Sequence, residues 1–450
     1  MSDRLTLPNV GLEQALLTLA IDEHRRDSLP RLERLWTYFR NAPETVGMAP
    51  WASRRTRHAQ EAGLPPRLRP AGNDPRLDDR WKNSPEIVIE NDIAWRLQTM
   101  VDFMVGRPIR ILSNLADEPR ARQIEAALDA VWEASGGISL LQDIALLGHV
   151  YGHVDLLVRV DDRSRAGGVL AALGRRAPSP QSPDSTPALA AEALRIEVIE
   201  PTRGIPIQSP HDFRQLDAYA IATTQSLNQL NPDSARPTRQ LVTQIELLAP
   251  GWRQVIRDGE VIEESADPHF EGRLPVVHIQ NMAQPFHYTG LSEVEPLIPL
   301  QDELNTRLSD RASRVTLQSF RMFLAKGFDT FDGTLIGPGR VFATDNPDAS
   351  IAPFGGDSDA PSESRHIDEI REAMDKISGV PPLAGGVVRA KIGNLSSANA
   401  LRITLLSLLA RTARKRIAYG RGILEASRHI LAALDSAGIL NTTPAQRSLR

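Results

Sequence analysis

The chain has 450 residues, 41% apolar and 24% charged, which is enough mass for two or three domains with proper cores. Its formal net charge of −4 excludes a protein that coats nucleic acid by bulk positive charge. Cysteine is absent, which rules out disulfides and thiolate metal sites, and no run of about 18 apolar residues is present to cross a bilayer.

Residues 11–40 read as two short helices parted near Ser28-Leu-Pro30. Leu12, Leu16, Leu17 and Leu19 interleave with Glu13, Gln14 and Asp22, so the start is an amphipathic helix rather than a secretory signal. From Met48 to Pro85 the chain is rich in Arg, Pro and Gly, including Arg54, Arg55, Arg57, Arg67 and Arg69, and predicts an exposed, partly mobile segment. A helix follows over Asn91–Gly106, stopped by Gly106 and Pro108, then a strand over 108–112. Helices are predicted over 117–134 and 140–148, and a strand over 150–160.

Residues 163–193, with Gly167-Gly168 and repeated Pro and Ser, predict a disordered insertion between two strands. From Leu194 to Ile279 an antiparallel meander is expected, with strands near 195–199, 216–224, 240–248, 252–257 and 275–279 and a tight turn at Asp258-Gly259. The last third is mostly helical. A charged helix over 292–318 carries the stripe Val294, Leu297, Gln301, Leu304, Leu308 and Val315, opposite Asp302, Glu303, Asp310, Arg311 and Arg314. After a mixed region over 319–358 come a helix over 361–378, a loop over 380–396 and a long helical stretch over 397–437. These elements predict an α+β fold.

Catalytic signatures are thin. His149-Val-Tyr-Gly-His153 has a metal-ligand spacing but lacks the glutamate of the zinc-protease motif and a third ligand. Gly290-Leu-Ser292 lacks the second glycine of a nucleophile elbow, and Ser292 with Glu295 reads as a capping box. A phosphate-binding glycine loop ending in Lys-Ser/Thr is absent, and no cofactor is expected.

Four segments, in order, resemble the portal (head-to-tail connector) proteins of tailed phages, in the SPP1-portal-like group. They are Ile93–Gly106 running into Arg107-Pro108-Ile109; Gly148-His-Val-Tyr151 entering a strand; Pro275-Val-Val to Asn281, Gly290-Leu-Ser292 and Leu300-Gln-Asp302-Glu-Leu-Asn305 to Ser309-Asp310; and Ile377-Ser-Gly-Val-Pro-Pro382 with Gly393-Asn-Leu-Ser396-Ser-Ala398-Asn-Ala400-Leu401. The chain departs from the pattern at Gln301, Leu304 and Ser397, and in the 163–193 insertion.

The resemblance implies a non-enzymatic, ring-forming subunit, typically one of twelve, at one capsid vertex of a virion assembled in the host cytoplasm. It implies a wing over 1–292, a first stem helix over 293–317, a clip over 318–360, a second stem helix over 361–379, a tunnel loop over 380–396, and a long helix with a reduced crown over 397–450. Implied partners are double-stranded DNA in the channel, the terminase packaging motor, a head-completion adaptor, and the major capsid and scaffolding proteins, with no membrane.

On that frame Ile367, Ile370 and Met374 pack between subunits with Leu304 and Leu308, while Glu363, Asp368, Glu369, Glu372 and Asp375 face water or the channel. Arg389, Lys391 and Asn394 lie in the tunnel loop, where Gly385, Gly386 and Gly393 give mobility. Twelve copies of −4 sum to about −48, which suits a wall over which DNA slides. The phenylalanines at 320, 323, 328, 331, 342 and 354 fall in the clip. Two other readings stay open: another oligomeric virion connector or capsid-associated protein, and a metal-dependent hydrolase using His149 and His153.

Overall fold

The computed structural model describes residues 14–46, 55–68, 86–160, 185–209, 211–212, 214–230, 237–319, 322–326, 347–348, 350–354, 361–385 and 398–450. The chain begins with α1 (Gln14–Glu23) and α2 (Leu29–Arg40), then β1 (Pro43–Val46) and β2 (Arg55–His58). Helices α3 (Asp92–Met104), α4 (Glu118–Ala134) and α5 (Gly137–Tyr151) lead into β3 (His153–Val160). Next come α6 (Thr186–Ala193), β4 (Leu194–Ile199), β5 (Gly204–Gln208), β6 (Leu216–Leu230), β7 (Pro237–Ala249), β8 (Trp252–Arg257), β9 (Glu260–Ala266) and β10 (Val276–Gln280). The remainder is α7 (Ile298–Ser319), β11 (Met322–Lys326), β12 (Ser350–Phe354), α8 (Pro361–Ser378), α9 (Ala398–Thr404) and α10 (Leu406–Ser436).

The fold is α+β and divides into two compact units, one of residues 1–40, 93–297 and 378–450, the other of 41–92 and 298–377. The larger unit is layered. Its three-stranded antiparallel sheet, β10-β3-β4, has β3 in the middle. Alternation sends Val154, Leu156 and Val158 into a core with α4, α5 and α10, while Leu157 on the other face meets Tyr219, Ile221 and Leu248 of the second sheet. That second sheet is the five-stranded meander β5-β6-β7-β8-β9, and Leu17 and Ile21 of α1 pack on Ile205, Ala220, Leu247 and Trp252 of its other face. Strand β3, covered on both sides, is buried from His153 to Val158 for this reason, Asp155 included. Helix α10 supplies Ile423, Ile430, Leu431 and Leu434 to the helical core, each worth about 2 kcal/mol of burial.

Several expectations need correction. The first two helices are not parted at Ser28-Leu-Pro30, because a π-helical turn over His24–Ser28 joins them. Residues 108–112 form no strand of either sheet. Leu112 instead exchanges both backbone hydrogen bonds with Arg450, and Ser113 pairs with Leu449.

The meander does not include the strands near 195–199 and 275–279, which flank β3 in the other sheet, and it gains β5 and β9. Of the expected 163–193 insertion, 186–193 is the helix α6, burying Thr186, Ala190 and Ala193; residues 161–184 lie outside the described residues. Of the segment expected to be exposed over 48–85, residues 59–63 form a 3₁₀ turn, and Gln60, Glu61, Leu64 and Leu68 are buried. Residues 47–54 and 69–85 lie outside the described residues.

Candidate functional site

Helix α7 shows a face that the apolar stripe concealed. Val294, Leu297, Leu304 and Leu308 are buried, but Val315 is 52% exposed. Beside them runs a row of polar side chains spaced by four, Gln301, Asn305, Ser309 and Ser313, and the extended segment 86–90 lies along it. The amides of Glu86, Val88 and Glu90 donate to Ser313 Oγ, Ser309 Oγ and Asn305 Oδ1, each at 3.0 Å, and Gln301 Nε2 donates to the Glu90 carbonyl. An extended chain without a neighbouring strand would leave these groups unsatisfied, and the helix side chains take the place of that strand. Asn305 Nδ2 also donates to Gln60 Oε1 at 3.0 Å, which explains why Gln60 is buried.

The same segment ties α7 to α8, since the Arg371 guanidinium pairs with the Glu90 carboxylate at 2.6 Å. Burial and nearby Asp92 raise the Glu90 pKa despite Arg371. Arg314 pairs with Glu363, and His366 Nε2 lies 3.3 Å from Glu303, so the two helices are cross-linked by charge. Burial pushes the Glu303 carboxyl up, but hydrogen bonds from Arg307 and His366 outweigh it and leave it below its ordinary range.

The proposed subunit-packing residues Leu304, Leu308, Ile367, Ile370 and Met374 are all buried within the single chain. The five acidic residues of α8 separate into two groups. Asp368, Glu369 and Glu372 are exposed, while Glu363 and Asp375 are partly buried. Arg389, Lys391 and Asn394, with Gly386 and Gly393, lie outside the described residues, as do the side chains of Phe320, Phe323, Phe328, Phe331, Phe342 and Phe354. Gly385 is described, and a Cβ there would stand 2.4 Å from the Trp95 ring, so this glycine is required for close packing.

The motifs at Gly148, Gly152, Asn281 and Gly290-Leu-Ser292 meet at one place in the larger unit. Gly152 has φ of +90°, and a Cβ would lie 2.3 Å from the Gly290 carbonyl oxygen, so two backbones cross in contact where α5 turns into β3. The Asn281 amide donates to the Gly152 carbonyl at 2.9 Å, and Asn281 Nδ2 donates to the Leu291 carbonyl at 3.2 Å. Ser292 Oγ donates to the Val150 carbonyl at 2.6 Å and accepts from the Val294 and Glu295 amides. The capping box is therefore half made, because the Glu295 carboxylate turns away to a bidentate pair with Arg31.

Helix α10 completes this junction with residues that no motif marked. Lys415 Nζ lies 2.6 Å from Glu293, both fully sequestered, and Tyr419 Oη donates to Asn281 Oδ1 at 3.2 Å through the space left by Gly148. Burial lowers the Lys415 pKa and Glu293 opposes it.

The hydrolase reading fails on geometry. His149 lies in the last turn of α5, with Nδ1 on the Ala145 carbonyl at 2.6 Å and its ring near Tyr419. His153 lies on β3 against the rings of His278 and Tyr288. Burial drives the His149 pKa well below its usual value and lowers that of His153 to about 4. Next to it, Asp155 accepts from Tyr219 Oη at 2.7 Å and Tyr288 Oη at 2.8 Å, with His278 Nδ1 at 2.7 Å. Burial raises the Asp155 pKa, but the His278 charge and these hydrogen bonds reverse the shift. Both carboxylate oxygens are engaged, so Asp155 locks β3 to β6 and β10 and has no proton to trade with a substrate. Among the described residues, no group of three or more His, Asp and Glu is placed to hold a metal ion.

Residues 97–440 match the sequence profile of the family described as "Phage portal protein, SPP1 Gp6-like". The chain belongs to this portal protein family. The family is structural and non-enzymatic, so the chain is a virion component of the portal or connector class. No curated protein matches the chain. Among solved structures, a chain of "Virion of native gene transfer agent (GTA) particle" is 13% identical, with 88% of this chain and 87% of that chain covered and a TM-score of 0.39. A chain of "Neck of empty GTA particle computed with C6 symmetry" is 15% identical, with 83% and 93% covered and a TM-score of 0.40. No helix among the described residues of this portal family member is long and apolar enough to cross a membrane.

Proposed function

We propose that copies of this chain close into a ring, typically of twelve, at one capsid vertex, with a central channel for DNA packaging, retention and ejection. The ring docks the packaging motor during filling and the head-completion adaptor afterwards, and it is built into the shell with the capsid and scaffolding proteins. The observation that carries this reading is the family match over 97–440. It takes in α7, α8 and α10 and each of the motif segments that meet at the Gly152–Gly290 crossing.

In this reading α7 and α8 are the stem, residues 318–360 the clip, 380–396 the tunnel loop, 1–292 the wing, and 397–450 a long helix with a small crown. The stem is a stiff element: its two helices are joined by Arg314–Glu363 and Glu303–His366, and the segment 86–90 braces both. Asp368, Glu369 and Glu372 then offer DNA a repelling surface, and Arg389, Lys391 and Asn394 touch phosphates from the loop. A wall of like charge keeps DNA from adhering, and a conduit needs that more than affinity.

Labelling the subunit on intact particles tests this. One label site per particle, at the tail vertex, is expected; label spread over the whole shell would favour a capsid-associated protein and overturn the proposal.

A further inference from the structure

The N-terminal half of α10 is buried on one side and bare on the other. On the bare side Leu406, Ala410, Ala413, Ile417 and Gly420 recur at alternating steps of four and three, and Ile403 of α9 extends the row at its start. Ile403, Leu406 and Ile417 are 73%, 63% and 61% exposed, and a Cβ at Gly420 would meet nothing. That is the a/d spacing of a helix seam, with no partner among the described residues. The opposite face of the same helix, through Leu408, Tyr419 and Ile423, is already committed to the core.

The seam is edged with positive charge. Between residues 402 and 428 the sequence has seven basic residues against the single carboxylate Glu425. Arg414, Arg421 and Arg428 stand exposed at seven-residue steps, about 10.5 Å apart along the helix, and form no ion pair among the described residues. The complementary surface is on α4 of the same unit. Glu125, Asp129 and Glu133 follow one another at four-residue steps, with Asp129 and Glu133 exposed. Burial and the charges of Glu125 and Glu133 raise the Asp129 pKa, with Arg110 only partly opposing them. Among the described residues none of these three carboxylates forms an ion pair, so the stripe presents a run of negative charge.

We propose that the Arg-edged apolar seam of α10 packs on the acidic stripe of α4 in a second copy of this chain. One basic and one acidic face on each subunit allow a heterologous contact that repeats head to tail, which is the kind of contact the proposed ring requires. Nucleic acid fits this face less well, since phosphates would match the arginines but leave Leu406 and Ile417 wet. The inference rests on the ring reading above and adds which surfaces meet.

Charge exchange in the full-length protein, read by sedimentation velocity, tests it. Arg421→Glu and Asp129→Arg should each raise the concentration for half-assembly by about tenfold, with unchanged circular dichroism, and Ile417→Lys should do the same without charge rescue. The combined Arg421→Glu/Asp129→Arg chain should assemble again, as should an equal mixture of the two single variants, in which every contact joins opposite charges. Wild-type assembly of the single variants, or no recovery in both the combined chain and the mixture, would overturn the pairing. Single variants that assemble normally but lose DNA retention would assign the face to nucleic acid instead. A wild-type chain that stays monomeric at all concentrations would remove the ring reading itself.

Discussion

Val88 and Ser309 are joined so that a helix side chain does the work of a neighbouring strand. The Val88 amide donates to Ser309 Oγ at 3.0 Å, and that hydroxyl passes its own hydrogen to the Asn305 carbonyl at 2.7 Å. With Asn305 and Glu90 four residues up the helix and two along the segment, the pattern repeats, and an extended chain is fixed to α7.

Asn305→Leu should therefore strand the Glu90 amide and the Gln60 side chain at once. A loss of about 2–3 kcal/mol is expected in urea unfolding, with faster hydrogen exchange at the amides of 86–90. Ser313→Ala, at the exposed end of the same row, should cost under about 0.5 kcal/mol. Equal effects of the two changes would mean the row is not what holds the segment.

Lys415→Met leaves buried Glu293 with only the looser 3.7 Å contact to Arg411 and should destabilise the chain by about 3 kcal/mol. Adding Glu293→Leu should recover much of that, because two apolar groups replace two desolvated charges. A double-mutant cycle with no coupling would contradict the junction described for these residues.

Gly152→Ala puts a Cβ 2.3 Å from the Gly290 carbonyl oxygen at a backbone φ of +90°, so neither strain nor clash can be relieved by a side-chain rotation. We expect little soluble, folded protein from this change. Gly438→Ala, at a φ of +69° but with open space around it, should cost only about 1–2 kcal/mol by thermal unfolding.

Acid should weaken the fold through its buried histidines. Burial lowers His153 and His429 to about 4, so both are neutral when folded at pH 5, and it lowers His149 well below its usual value in the same sense. The unfolded chain takes up protons there once pH falls below about 6.5, while the folded chain does not. Stability is thus full above about pH 6.5 and falls between there and about pH 4, by up to about 1.4 kcal/mol per pH unit for each histidine. Urea midpoints at pH 7, 6 and 5 check the sign, and His429→Leu should reduce the slope by about one histidine's share.

Much of the fold was legible because periodicity reports burial. Helix α8 falls at 361–378 as its Ile367, Ile370 and Met374 spacing requires, and Asp258-Gly259 makes the expected tight turn. What periodicity missed was polar burial. Gln301 sits at a position of the apolar stripe, yet its amide serves the Glu90 carbonyl. Lys415 carried no signal, since a lysine on an arginine-rich helix reads as solvated until Glu293 is brought to it from 122 residues away. Strand β9 was missed because every residue from Glu260 to Glu264 is exposed, leaving no alternation to detect. The motif glycines were read as family marks, and only the structure shows that Gly152 and Gly290 are needed for the same backbone crossing.

In the proposed function this chain is one subunit of a ring around DNA. Electron-microscope images of the purified full-length protein, viewed down the particle axis, test it most directly. Closed rings with an open centre are expected, near twelve copies and so about 590 kDa for a 49.5 kDa chain. Monomers or dimers at every concentration, or assemblies with no axial opening, would contradict it.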